Sequence, residues 1–390
     1  MKNLFLLSLV TVSSAWASYE DQFPQYFEYC TGSQVKYQPA YFNGAVGGKG
    51  GHGFMYIHGL CKDYTKTYPQ VIPCSKVKNV ESRFSHAGVG VSLDSDFKNV
   101  SWVAVPGRGL TMFGNLPRKE VTTQDIDQII DESLKLKIFE NVEMSTKSVN
   151  NLELNRPGYE RAAVLTTIGT DVAVNLGREL RCVRIPVPPK AVEAAAEFLN
   201  AENNKYYQTG KKFEWSGMAN NCTHLALNTS HAMGMNKLEK TDQFIIKQIF
   251  DIAIPANAYL LYADQAVLNK ITNRELANSS QLKEFGYHPA QVGSLMLRYN
   301  AYPESVMFKT EDLTAITAPR KRILKMFATA GSYDEYLAQS DDENVLLLDN
   351  AKRWVKTYSS LLQKLPHSEL NLDQRIYLEG QKDLSLKIAE

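Results

Sequence analysis

The sequence predicts an α+β layer fold with a largely antiparallel sheet, followed by a mainly helical C-terminal region. Three observations carry that reading. Strand-like alternation comes early in the chain, helical stretches are interspersed within it, and the regular β-α-β alternation of a parallel sheet is missing. Beyond about Asn236 the patterning turns mainly helical, through 244–252, 320–330 and 344–365.

At 390 residues and 44% hydrophobic, with 20 Tyr, 16 Phe and 4 Trp, the chain has ample surface to bury, which excludes a wholly disordered or low-complexity role. Its 43 Lys+Arg balance 42 Asp+Glu. Such a balance argues against nucleic-acid binding, which leaves a basic excess or a dense basic patch. The residues Met1 to Ala17 read as a secretory signal peptide: Lys2 is the positive end, Leu4 to Val12 the apolar run, and Ala15-Trp16-Ala17 the cleavage signal. That run is shorter than the ~20 residues that span a bilayer, and no later uncharged stretch reaches this length, so no transmembrane segment is expected. A periplasmic or secreted location in a bacterial cell envelope follows.

The elements are read in chain order. Residues 18–50 are read as loop around a short strand, closing on Gly44, Gly47, Gly48, Gly50 and Gly51. A phosphate-binding loop is excluded there, because Lys49 is followed by Gly50 where such a loop has Ser or Thr. From His52 to Gly59 a strand places His52, Phe54, Tyr56 and His58 on one face. A second strand at about Phe84 to Leu93 has His86, Gly88, Gly90 and Ser92 on one face and Ala87, Val89, Val91 and Leu93 on the other. Val100 to Val105 is a third strand. A helix is expected over Thr123 to Asn141, opened by a capping box of Thr122 with Asp125. Further strands are expected at Ala162 to Ile168 and Arg181 to Val187, and Pro188-Pro189 opens a helix. Between Met235 and Phe244 only the short polar join Asn236-Lys237-Leu238-Glu239-Lys240 appears. The chain therefore divides into 1–17, 18–235 and a region 236–390 packed on it.

Cys30, Cys61, Cys74, Cys182 and Cys222 make an odd set in an oxidising compartment, where four can pair in three ways and one is left. Cys61 and Cys74 are a local pair, because Pro69 and Pro73 help the segment between them turn back. Cys30 and Cys182 pair by elimination, and Cys222 stays reduced. Its surroundings set it apart: Asn220-Asn221-Cys222-Thr223-His224-Leu225 opens a helix, with asparagine as N-cap and Gly234 as the stop. A thiol in a first helical turn is expected to have a lowered pKa, and the free N–H groups there can stabilise an oxyanion.

A thiolate needs a base to become a catalyst. His224 and His231 are excluded, since at ~100° per residue they leave the helix on the side away from Cys222. His52 and His58 share a face but stand ~20 Å apart, so one of them at most can serve. His52, at the strand mouth after the glycine-rich loop, is the candidate base. A zinc site drawn from His52, His86 and Cys222 is the competing use of these residues. No Cys-x-x-Cys or His-x-x-x-His spacing supports it, and neither a metal nor a cofactor is expected.

An early Gly-His strand, a second polar strand and a later Asn-Cys-x-His-Leu helix resemble the circularly permuted papain-like hydrolases of the NlpC/P60 superfamily, which include lecithin:retinol acyltransferase-like enzymes. The resemblance spans roughly Tyr19 to Met235. It implies a permuted papain-like core in which Cys222 is the nucleophile, His52 the general base and a polar residue of the adjacent strand the orienter of the imidazole; His86 is the candidate for that third role. The expected activity is that of a secreted thiol hydrolase or acyltransferase acting on an amide or ester, with a cell-envelope peptide or acyl group as substrate. The alternative is a non-catalytic envelope protein that keeps the fold as a binding scaffold.

Overall fold

A six-stranded antiparallel sheet forms the centre of the molecule, in the order β10-β9-β1-β3-β6-β7, where β1 is Tyr26–Gly32, β3 His52–His58, β6 Gly88–Ser92, β7 Val103–Pro106, β9 Leu180–Pro186 and β10 Leu297–Tyr302. The computed structural model describes residues 24–32, 37–39, 51–77, 88–116, 120–145, 149, 152–154, 158–176, 178, 180–217, 220–235, 255, 258–259, 262, 297–302, 307–308 and 313–315, with separate positions between 352 and 389. The expected signal peptide, most of the glycine-rich stretch, His86, and the expected helices at 244–252 and 320–330 lie outside these residues.

The residues 18–50, read as mainly loop, contain the central strand. β1 is seven residues long and buried along its whole length. Burial on both faces removes the polar/apolar alternation by which a strand is recognised. Phe27 and Tyr29 point into the apolar core with Met55 and Ile57 of β3, their register partners. The opposite face carries Glu28, wholly buried, whose carboxylate accepts from the guanidinium groups of Arg184 at 3.0 Å and Arg108 at 3.2 Å. Charge inside this sheet is thus neutralised locally, as burial demands.

Short two-stranded pairings surround the sheet. Leu60–Lys62 (β4) and Val71–Pro73 (β5) form a hairpin closed by the Cys61–Cys74 disulfide. Tyr37–Pro39 (β2) pairs with Leu313–Ala315 (β12), and Glu120–Val121 (β8) with Met307–Phe308 (β11). With β10 on β9, three pairings join these late strands to strands of the first 186 residues. The Cys30–Cys182 bridge crosses directly paired positions of β1 and β9.

Five helices are described. α1 (Arg108–Met112) lies over β6, with the Thr111 side chain occupying the point a Gly90 Cβ would take, so only glycine admits that approach. α2 (Thr123–Lys135) opens with the expected Thr122–Asp125 capping box. It ends before the expected Asn141, because Lys137 and Asn141 adopt positive φ and the Lys62 ammonium donates to the carbonyls of Leu136 and Lys137. α3 (Tyr159–Thr167) replaces the strand expected at Ala162 to Ile168. A short apolar run with β-branched residues fits either state. Here Tyr159, Ala163, Val164 and Thr167 are buried at helical spacing. α4 (Pro189–Tyr207) begins at the paired prolines and is tied down by buried Asn203, which bonds to the backbone of Ser101, Trp102 and Pro69. α5 (Cys222–Ala232) packs on α4 and β3. Tyr262 fills the space between α5 and β1, its hydroxyl 2.8 Å from Ser230 Oγ and its ring against Phe27 and Tyr29.

Candidate functional site

The start of α5 is fixed by its cap. Asn221 is extended, and its Oδ1 accepts the N–H groups of Thr223 at 2.9 Å and His224 at 3.0 Å. Its own Nδ2 donates to Gly217 O at 2.8 Å. These bonds satisfy two of the donors that a helix start leaves open. His224 is buried, with Nδ1 2.8 Å from the same asparagine oxygen, so it serves the cap.

Cys222 is therefore the first helical residue. It is half-buried, and it is reduced because the other four cysteines pair as expected, Cys30 with Cys182 and Cys61 with Cys74. The lowered pKa expected from its position is not found. Burial pushes the thiol above its ordinary value, and the polar groups of Gly53 and Thr223 that face it, the Gly53 N–H first, oppose that rise only in part. A helix terminus is worth about 0.3–1 kcal/mol at an exposed site, less than the desolvation of a thiolate in an enclosed one. The Gly53 contact brings the sulfur to the start of β3, and α5 itself packs on the Phe27 and Tyr29 face of the sheet, whereas the His52 side chain is on the Glu28 face. A side chain at Gly53 would collide with the Tyr29 hydroxyl, whose oxygen is 2.6 Å from the Cβ position.

His52 is the neighbour of Gly53 at that mouth. It is buried, with Nε2 3.0 Å from Ser92 Oγ. Burial, and secondly the Arg178 guanidinium, push its pKa down to about 3, so the imidazole is neutral across the physiological range. His58 is engaged at the far end of β3, where Nδ1 meets Pro24 O at 2.7 Å and the ring stacks on Tyr26. One of the two strand histidines thus stands at the cysteine's end.

Ser92 is the described residue bonded to the imidazole; His86, the expected third residue, lies outside the described residues. Register explains the contact. Met55 opposes Val91 and Tyr56 opposes Gly90, so Ser92 falls on the face of Phe54 and Tyr56 and reaches His52 diagonally. The signal was present in the sequence, because Ser92 ends the row His86, Gly88, Gly90, Ser92. The zinc reading of His52, His86 and Cys222 likewise depends on a residue outside the description. Among the described residues Glu28, Cys30 and Cys182 come together as potential ligands, but the two sulfurs are bonded to each other.

Sequence reasoning did not find the charged groups around this pair. Asp171 and half-buried Asp94 are pushed above the usual carboxylate range by burial and, for Asp171, by the neighbouring Asp94 charge as well. Arg178, wholly buried, is pushed down to about 10 by burial, against the pull of Asp171, Cys222 and Asp94. No pattern marks them, since they come from irregular segments that only the fold brings to the sheet. No family model, curated protein or solved structure matches the chain.

Proposed function

We propose that the protein is a thiol hydrolase or acyltransferase of permuted papain-like type, acting outside the cytoplasm on an amide or ester, with Cys222 as nucleophile and His52 as general base. One observation carries the reading: a reduced cysteine at the first position of an asparagine-capped helix meets the backbone of Gly53, beside an imidazole already bonded to a serine. With Nε2 engaged by Ser92, Nδ1 is the nitrogen left to take the thiol proton, and Ser92 orients the ring. Burial keeps both partners neutral at rest. His52 therefore removes the proton as sulfur attacks the carbonyl, rather than holding a preformed thiolate, and returns it to the leaving group. The first turn of α5 is the nearest source of N–H donors for the oxyanion. The order of elements, base strand before nucleophile helix, fits the permuted arrangement. The two disulfides suit an oxidising compartment, and no helix among the described residues is long and apolar enough to cross a membrane.

The same neutral pair favours a second reading, a binding scaffold in which the thiol is inert. p-Nitrophenyl acetate separates the two. The catalytic reading expects Cys222 to be acetylated and the thioester to turn over. His52→Ala should lower turnover roughly 10²- to 10⁴-fold, the range of a lost general base. Acetylation that does not turn over, or turnover unaffected by His52→Ala, would leave the scaffold reading standing.

A further inference from the structure

On the His52 face of the sheet, three wholly buried side chains lack hydrogen-bond partners. Both carboxylate oxygens of Asp171, both amide atoms of Asn175 and all three guanidinium nitrogens of Arg178 are unmet. A buried polar atom left without a partner destabilises the fold, and more so when charged. Folded proteins keep few of them, and those they keep point to water, an ion or a ligand. Asp171 and Arg178 lie within each other's field but form no ion pair. Neither group thus satisfies the other by direct contact, although each senses the other's charge.

Arg178 and Asp171 adjoin the candidate catalytic pair. Arg178 packs on Gly32, its Cδ 2.9 Å and Nη1 3.2 Å from the Cβ position, and Gly32 is the register partner of His52. The guanidinium therefore lies beside the imidazole on the β1 side. Ser92, which holds His52 from the β6 side, also faces Asp171. An anion alone would satisfy Arg178 but meet repulsion from an ionised Asp171, a cation would do the reverse, and an uncharged acyl chain would satisfy neither.

We propose that Asp171, Asn175 and Arg178 form a subsite for the free end of an α-amino acid, with its carboxylate on Arg178 and its ammonium on Asp171. The proposal rests on the thiol-hydrolase reading for its chemistry. With the α-carboxylate held by Arg178, the carbonyl presented to Cys222 is on the side chain, so the substrate is a side-chain amide of the glutamine or asparagine type. Cys222 sulfur adds to that carbonyl and its proton passes through His52 to the departing nitrogen. Thioester and amine result. Water then cleaves the thioester to the carboxylic acid and regenerates the thiol.

Full-length Cys222→Ala protein, which binds without turnover, is titrated calorimetrically with L- and D-glutamine, L- and D-asparagine, and their N-acetyl and α-amide derivatives. At least one free amino acid should bind with a Kd of about 1 mM or tighter. Blocking either α group should weaken binding roughly tenfold or more, the loss of one charge-assisted hydrogen bond. Absence of binding by all four, or equal binding of the blocked forms, overturns the subsite. Blocking the ligand probes it without depending on whether Arg178 variants fold. If free amino acids bind but wild-type protein turns over neither them nor p-nitrophenyl acetate, the hydrolase reading fails and the subsite stands. Turnover of the ester without amino-acid binding is the opposite result.

Discussion

At the scale of single residues, burial governs the ionisation of Cys222 and of His52 more than helix position does. The thiol is raised and the imidazole lowered for one reason: enclosure penalises whichever form carries charge. This makes folding sensitive to acid. His52 has a folded pKa of about 3 against an ordinary 6.5, so between these values the unfolded chain binds the extra proton. Stability from the neutral ring is complete above about pH 6.5 and falls as pH drops, by at most about 1.4 kcal/mol per pH unit. Asp94 and Asp171, with raised pKa values, act in the opposite sense. The contribution of His52 is therefore read as a difference. Urea unfolding at pH 7 and pH 4.5 should show wild type losing more stability than His52→Asn over that interval; equal losses would mean the ring is not held neutral by the fold.

Helix α5 and strand β3 have sequence features that can be tested as elements. The cap of α5 combines two accepted N–H bonds and a donated one in a single asparagine, and it sets the position of the cysteine that follows. Asn221→Ala should lower unfolding free energy by about 1 kcal/mol, within the 0.5–2 range for lost caps. It should also reduce turnover of p-nitrophenyl acetate, since the first turn frays. Asn221→Asp, which keeps the acceptor, should recover most of the stability. An alanine variant as stable as wild type would show that packing against β3 and α4, and not the cap, fixes the helix start.

For the whole molecule, the two disulfides differ in how much chain they restrain. Cys30–Cys182 spans a sequence separation of 152 and Cys61–Cys74 one of 13. If restriction of the unfolded chain dominates, the long bridge contributes roughly 5 kcal/mol and the short one about 3. The double replacement Cys30→Ala with Cys182→Ala should therefore lower the urea midpoint more than Cys61→Ala with Cys74→Ala. The reverse order would place the stabilisation in the folded hairpin of β4 and β5. The strands β10, β11 and β12 add a further restraint by pairing with β9, β8 and β2.

The sequence by itself determined the features encoded within a few residues of one another. These are the α+β class, the strand at His52, the capping box of α2, the proline start of α4, and the asparagine cap that puts Cys222 first in its helix. The local Cys61–Cys74 pair and the odd status of Cys222 were legible for the same reason. Tertiary structure alone decided what depends on distant surroundings. It made β1 the central strand, buried on both faces and so without alternation. It turned the ambiguous run at 162–168 into part of a helix, because packing selects between states that propensity leaves close. It set the sign of the Cys222 shift, since desolvation is a property of everything packed around a group. It also brought Asp171 and Arg178 to the side of His52, a charge pattern that no spacing in the chain announces.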